Sequence, residues 1–179
     1  YVSHIASNAD WWTGISLVNT TSTPKDLTIP FHNRMTDTDD PRDITLNPNQ
    51  HRIFNIADDF FDHQIQPDIS SAVITNAGGI IGLELFGSLG WGSQLEGILL
   101  TGNTSSTLYY PHIGDENWWT GIVAYNTLAS ECPITITPYD VDGGSLSPVT
   151  PDPDHIEGNG RYVDAVSNLG LPAETAWFR

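Results

Sequence analysis

Two adjacent tryptophans followed by Thr-Gly-Ile occur twice in this chain, at 11–15 and again at 118–122. The match extends well beyond the pentapeptide. "YVSHIASNADWWTGISLVNT" (1–20) aligns with "YYPHIGDENWWTGIVAYNT" (109–127), setting His4 over His112 at an offset of 108. After one residue drops out, Trp11 falls over Trp118, Gly14 over Gly121 and Asn19 over Asn126 at an offset of 107. "DLTIPFH" (26–32) then stands opposite "PITITPY" (133–139) with no further gap. Weaker matches follow in the same order, "HRIFNIADDF" (51–60) with "GRYVDAVSNL" (160–169) and "SAVI" (71–74) with "AWF" (176–178). Preserved order at one period is the signature of a tandem duplication. The expected organisation is a first unit over 1–100, a polar linker "TGNTSST" over 101–107, and a second unit over 108–179.

Each unit reads as strands. "GISLVNT" and "DLTIPFH" alternate apolar and polar residues, the period of two that buries one face of a sheet. "RIFNI", "SSAVITN", "IIGLELFG" and "EGILL" continue the run, and only "ADDFFDH" (57–63) suits a helical turn. "TSTP", "TDTDDPRD", "LNPNQ" and "NAGG" read as the turns between them. About eight short strands in a hundred residues predict an all-β chain of two β-sandwich-like units. The second unit is expected to be incomplete, because nothing in it corresponds to "IIGLELFGSLGWGSQLEGILL" (80–100). The final Arg179, one of five arginines, suggests a trypsin-like cut. An open sheet edge left there predicts pairing between chains.

Charge narrows the partners. Six Lys plus Arg against 22 Asp plus Glu give a net charge of −16. Such an acidic surface repels phosphate backbones and anionic lipid, so neither nucleic acid nor membrane is an expected partner. No run of eighteen apolar residues is present to span a bilayer. Cys132 is the single cysteine, which rules out an intrachain disulfide and a cysteine-based metal site.

The segments "YYPHIG", "WWTGIVAYN" and "PITITPYDVDG", with "GLELFG" and "LEGILL" in the first unit, resemble a repeat of bacterial secreted and surface proteins. Those modules carry a Pro-His-Ile opening, Trp-x-Thr-Gly-Ile, an Asn closing the strand and an Asp-x-x-Gly turn. The chain departs from them at Ser3, where the second unit has Pro111, and at "HNRMTDTDDPRD", which replaces the usual hairpin. The resemblance implies a β-rich fold and an extracellular address, with no established reaction or ligand.

The candidate residues divide between framework and ligand. Neighbouring residues on a strand face opposite ways. One tryptophan of each pair is therefore expected in the core, with Gly14 and Gly121 permitting a turn and Ile15 and Ile122 opening the buried face. The other, Trp12 or Trp119, is expected outside, where an indole offers a flat platform for a sugar ring; Trp91 in "LGWGS" could join them. His4 and His112 are expected to tie a loop to the tryptophan turn, and Asn19 and Asn126 to cap the turn after their strand. Calcium is the one cofactor with candidate ligands, the carboxylates of Asp37, Asp39, Asp40 and Asp43 in one acidic loop. No catalytic motif is present. Glu84 alternates with Leu83 and Leu85, which predicts a solvent-facing carboxylate. Two functions follow as expectations: a non-catalytic extracellular module for spacing or adhesion, meeting another surface protein, or a carbohydrate-binding module meeting a polysaccharide through its tryptophans.

Overall fold

A computed structural model describes residues 1–90, 94–114 and 118–179. Trp91, one of the three candidate sugar platforms, lies outside the described residues. The chain forms two compact units, Tyr1–Gly102 and Asn103–Arg179, and the boundary falls inside the expected linker.

Among its described residues unit 1 has seven strands: β1 (Trp11–Asn19), β2 (Lys25–Asn33), β3 (Thr38–Leu46), β4 (His51–Asn55), β5 (Ile69–Ala72), β6 (Ile80–Ser88) and β7 (Leu95–Leu99). They form two antiparallel sheets, β4-β1-β6-β7 and β3-β2-β5. Ile15 and Leu17 of β1 and Phe54 of β4 meet Leu27, Ile29 and Phe31 of β2 in one buried core, as sandwich packing requires. Between β4 and β5 runs the short helix α1 (Ile56–Phe60), the helical turn expected near 57–63. Asn55 caps it by accepting from the Ala57 and Asp58 N–H groups. β1 pairs with β6 along its whole length, from Trp11 opposite Ser88 to Asn19 opposite Ile80.

The opening segment "YVSHIA" contributes one isolated bridge, Val2 to Ala72. Two expectations need correction here. The acidic stretch taken as a turn is largely strand β3, an edge strand with solvent on much of its surface. Carboxylates serve as rungs between β2 and β3: Thr45 Oγ1 of β3 donates to Asp26 of β2 at 2.7 Å, and Thr28 Oγ1 of β2 to Asp43 of β3 at 2.6 Å. Glu84 is fully buried instead of facing water, and accepts the Ser3 N–H at 3.1 Å. It stands opposite Ile15, whose side chain enters the core, so the register puts the carboxylate on the inner face and Leu83 and Leu85 outside.

Unit 2 has shorter strands: β8 (Gly121–Tyr125), β9 (Cys132–Pro133), β10 (Pro138–Tyr139), β11 (His155–Ile156), β12 (Arg161–Ala165) and β13 (Trp177–Phe178). They pair as β12-β8, β11-β9 and β10-β13. Ile122, Ile136, Ile156, Tyr162, Val166, Leu169 and Phe178 form its core. The β8–β12 pair repeats β1–β4, since Arg161 stands opposite Tyr125 as His51 stands opposite Val18. That register moves the sequence alignment by one: Arg161, and not Gly160, takes the place of His51. Among the described residues, nothing stands where β6 and β7 stand in unit 1, so β8 has a strand on one side only.

Candidate functional site

Trp12 and Gly14 are on one face of β1, and the Trp12 indole lies back over the glycine. A Cβ at Gly14 would come within 3.3 Å of the Trp12 ring. Across the strand pair, a Cβ at Gly87 would lie 2.9 Å from Trp12 Nε1. In unit 2, a Cβ at Gly121 would lie 2.7 Å from the Trp119 ring. The two motif glycines therefore belong to strands, Gly14 within β1 and Gly121 as the first residue of β8, and make room for a ring; neither makes a turn. Gly87→Val should push the Trp12 indole into water and lower unit 1 stability by about 1–3 kcal/mol, the usual range for overpacking. A red shift of tryptophan emission together with a lower urea midpoint would confirm it; an unchanged spectrum would count against the contact.

None of the four motif tryptophans enters a core. Trp11 and Trp12 are half-buried, and Trp118 and Trp119 are 76% and 55% exposed. The inner position of the motif belongs to threonine. Thr13 is buried and its Oγ1 accepts the Ala6 N–H at 2.8 Å, while Thr120 Oγ1 accepts the Gly114 N–H at 2.7 Å. Thr13 and Thr120 were missed in the sequence, although their alternation with Ile15 and Ile122 carries the signal. His4 packs edge-on against Phe86 of β6, with ring centroids 5.6 Å apart, whereas His112 is exposed. In unit 1 β6 lies over the motif, and among the described residues unit 2 has no strand in that place.

The closing asparagines do more than end a strand. Asn19 Nδ2 donates to the carbonyls of Thr23, Leu46 and Asn47, and Oδ1 accepts the Thr21 N–H. Asn126 does the same with the carbonyls of Ser130, Ile156 and Glu157 and the Leu128 N–H. The capping bonds to the following turn match the expectation, and the bonds to the distant strand ends add to it.

Beside Trp118 and Trp119 opens a cleft of about 330 Å³, walled by Ile113, Leu171 and Pro172. That volume lies at the lower end of small-molecule sites. At the far end of the unit 2 motif, the Tyr110 hydroxyl donates to the Val123 carbonyl at 2.8 Å. Burial pushes this phenol up to about 12.

The four aspartates chosen for calcium do not converge. Asp39 meets His32 Nδ1 at 3.1 Å, Asp40 pairs with Arg42 at 2.7 Å and Asp43 accepts from Thr28. Asp39 and Asp43 face outward from β3, Asp40 faces inward, and Asp37 belongs to the preceding turn. Among the described residues the donors that do gather are Glu131, His155 and Glu157, whose ligand atoms lie within 4.8 Å of one another. One imidazole and two carboxylates suit a transition ion better than calcium, which asks for six to eight oxygens.

His155 also bonds Asp154 at 2.9 Å, and that bond, then one to Glu157, raises its pKa. Asp154 is lowered, chiefly by the same bond. The imidazolium's contribution is complete below about 6.5, the free value, and fades as pH rises through the raised value. The carboxylate's contribution fades as pH falls through its lowered value. An NMR titration of His155 should show an inflection above that of free imidazole, and Asp154→Asn should bring it down. No change in the variant would refute the assignment.

No family model, no curated protein and no solved structure matches the chain.

Proposed function

We propose that this chain is a non-catalytic extracellular β-module of a bacterial secreted or surface protein, a spacer or adhesion element produced by tandem duplication. The observation that carries the proposal is the framework built twice from the same parts. Each unit has a buried asparagine gathering three carbonyls, a threonine stapling the preceding loop and an indole over a strand glycine. The most distinctive residues of the sequence thus go into architecture, as a repeated spacer requires.

An adhesive role draws support from the outer face of the β4-β1-β6-β7 sheet. Ile53, Ile81, Leu95 and Leu99 are exposed there, beside half-buried Leu83 and Leu85. A contiguous apolar patch on an otherwise acidic surface suits contact with another protein. A second reading, carbohydrate binding, is favoured by one observation, the exposed indoles of Trp118 and Trp119 at the cleft in unit 2. Trp12 is less suited to a sugar, since its ring is already applied to Gly14 and Gly87.

The two readings separate in one experiment. The full chain is titrated with soluble polysaccharides, with and without calcium, following tryptophan emission. In parallel its retention on an apolar-coated sensor is recorded. The adhesion reading expects no saturable glycan response, and retention that falls in a Leu95→Lys, Leu99→Lys double variant. A saturable glycan response lost in folded Trp118→Ala and Trp119→Ala variants would replace it with the sugar reading.

A further inference from the structure

Unit 2 sets one imidazole between two glutamates by pairing two short strands. β9 and β11 align Ile156 opposite Cys132 and His155 opposite Pro133. One step along that register, Glu131 faces Glu157 just past the paired residues. The ligand atoms of Glu131, His155 and Glu157 all lie within 4.8 Å of one another. Like charges at facing positions of an antiparallel pair repel, and Asp154 adds a third carboxylate, 2.9 Å from His155 Nδ1. The group therefore carries more negative charge than one imidazole can offset, whatever its protonation.

The backbone beneath the group is tied on both sides. Asn126 Nδ2 donates to the carbonyls of Ser130, Ile156 and Glu157 at 2.7, 3.1 and 3.1 Å, which joins the chain beside Glu131 to the chain carrying Glu157. Gly158 lets the two segments close up, since a Cβ there would collide with the Ala129 carbonyl. Unit 1 builds the same frame from Asn19 and the carbonyls of Thr23, Leu46 and Asn47, with Lys25 opposite Leu46 as Cys132 stands opposite Ile156. In the places of Glu131, His155 and Glu157 that frame has Pro24, Thr45 and Asn47. The frame stands without the three donors, so it does not account for their convergence in unit 2.

Two details of His155 point to a metal. Asp154 engages Nδ1 and leaves Nε2 on the side of the glutamates; a carboxylate on the far nitrogen is the usual partner of a metal-bound histidine. Nε2 lies 3.4 Å from Glu157 Oε1. Two ligands of a tetrahedral ion with bonds of about 2.0–2.1 Å are about 3.4 Å apart.

We propose that Glu131, His155 and Glu157 form a binding site for one divalent transition ion of the Zn(II) kind, with water completing its shell. The ion clamps the chain entering β9 to the chain leaving β11 and turns a repulsion into a shared pair of bonds. Asp154 is a positioning residue that acts through the imidazole. This inference goes beyond the spacer or adhesion role and uses none of its observations on the apolar patch, so each can fail without the other.

The test uses the full chain at physiological salt in a buffer that does not chelate, with Zn(II) as the probe. Isothermal titration should give saturable binding, and the His155 ring nitrogen signals in NMR should move in step with it. Unit 2 should then unfold at a higher urea concentration while unit 1 does not, because binding to the folded form alone stabilises it. Ca(II) and Mg(II) in excess should not displace Zn(II). Glu131→Gln and Glu157→Gln together should abolish the site; both side chains are exposed, and the unshifted amide spectrum of unit 2 checks the fold. Asp154→Asn should weaken binding about tenfold, the lower end for outer partners of a metal ligand, and should change the His155 nitrogen signals before any metal is added. Absence of a saturable His155 shift in the wild-type chain overturns the proposal, as does full binding by the double variant. Loss of binding in Cys132→Ser also overturns it, and would place the ion on the neighbouring thiolate.

Discussion

Asn19→Ala should destabilise unit 1 by about 3–5 kcal/mol, a large share of what a domain of this size has. Asn19 is fully buried, and its amide nitrogen serves three carbonyls at 2.8–3.1 Å. Truncation leaves several polar groups without partners, each costing about 1–3 kcal/mol where water cannot replace them. Asn19→Asp keeps the shape and the acceptor for Thr21 but places a carboxylate against carbonyl oxygens. It should be at least as damaging as alanine. Urea unfolding followed by NMR of unit 1 amides reads both variants. A loss under 1 kcal/mol for alanine, or near-native stability for aspartate, would show that the donors are not what the site needs. Asn126→Ala should act in the same direction on unit 2, with less effect, because Asn126 keeps some exposure.

The sequence made the half-buried strands legible and hid the exceptions to alternation. In β2, Leu27, Ile29 and Phe31 alternate with Asp26, Thr28, Pro30 and His32, and all three are in the core. In β3 the first residues are aspartate, threonine, proline and arginine, and only Ile44 and Leu46 at its end reach the core; an edge strand with solvent around it can start without an apolar face, and composition alone made that part look like a loop. The misplacement of Glu84 has a different cause. Leu83 and Leu85 pointed to the core by hydrophobicity, yet β6 takes its register from β1, and Ile15 decides the inner face. The tryptophans misled for a related reason, since their size suggests burial while Thr13 and Ile15 occupy the inward positions. Their recurrence marks the start of β1 and the residues leading into β8, and β6 lies over the first, while among the described residues no strand lies over the second. The Glu131–His155–Glu157 group is not local in sequence and becomes visible only when β9 pairs with β11.

The aromatic core of unit 1 gives the other large effect. Phe31 is fully buried, with its ring centroid 5.1 Å from that of Phe60 and 5.3 Å from that of Phe61; Phe60 in turn lies 5.2 Å from Phe54. The Arg42 guanidinium closes the cluster over Phe61 at 4.7 Å. One ring of β2 thereby holds α1 against both sheets. A five-residue helix has too few internal bonds to persist alone, so its order depends on this packing. Phe31→Ala should destabilise unit 1 by about 3–5 kcal/mol, the range for emptying a buried phenylalanine site. It should also speed exchange at the Phe61 and His63 amides, which bond the Ala57 carbonyl. Phe31→Leu fills most of the volume and should cost less than about 2 kcal/mol, with α1 still protected. Unit 2 has Pro138 in the place of Phe31 and stacks Tyr110 on Phe178 instead, centroids 4.9 Å apart. The aromatic contact there joins the entering segment to the final strand β13 and involves no helix. A Phe31→Ala loss below 2 kcal/mol, with α1 exchange unchanged, would mean that the helix is held by Ile56 and not by the aromatic cluster.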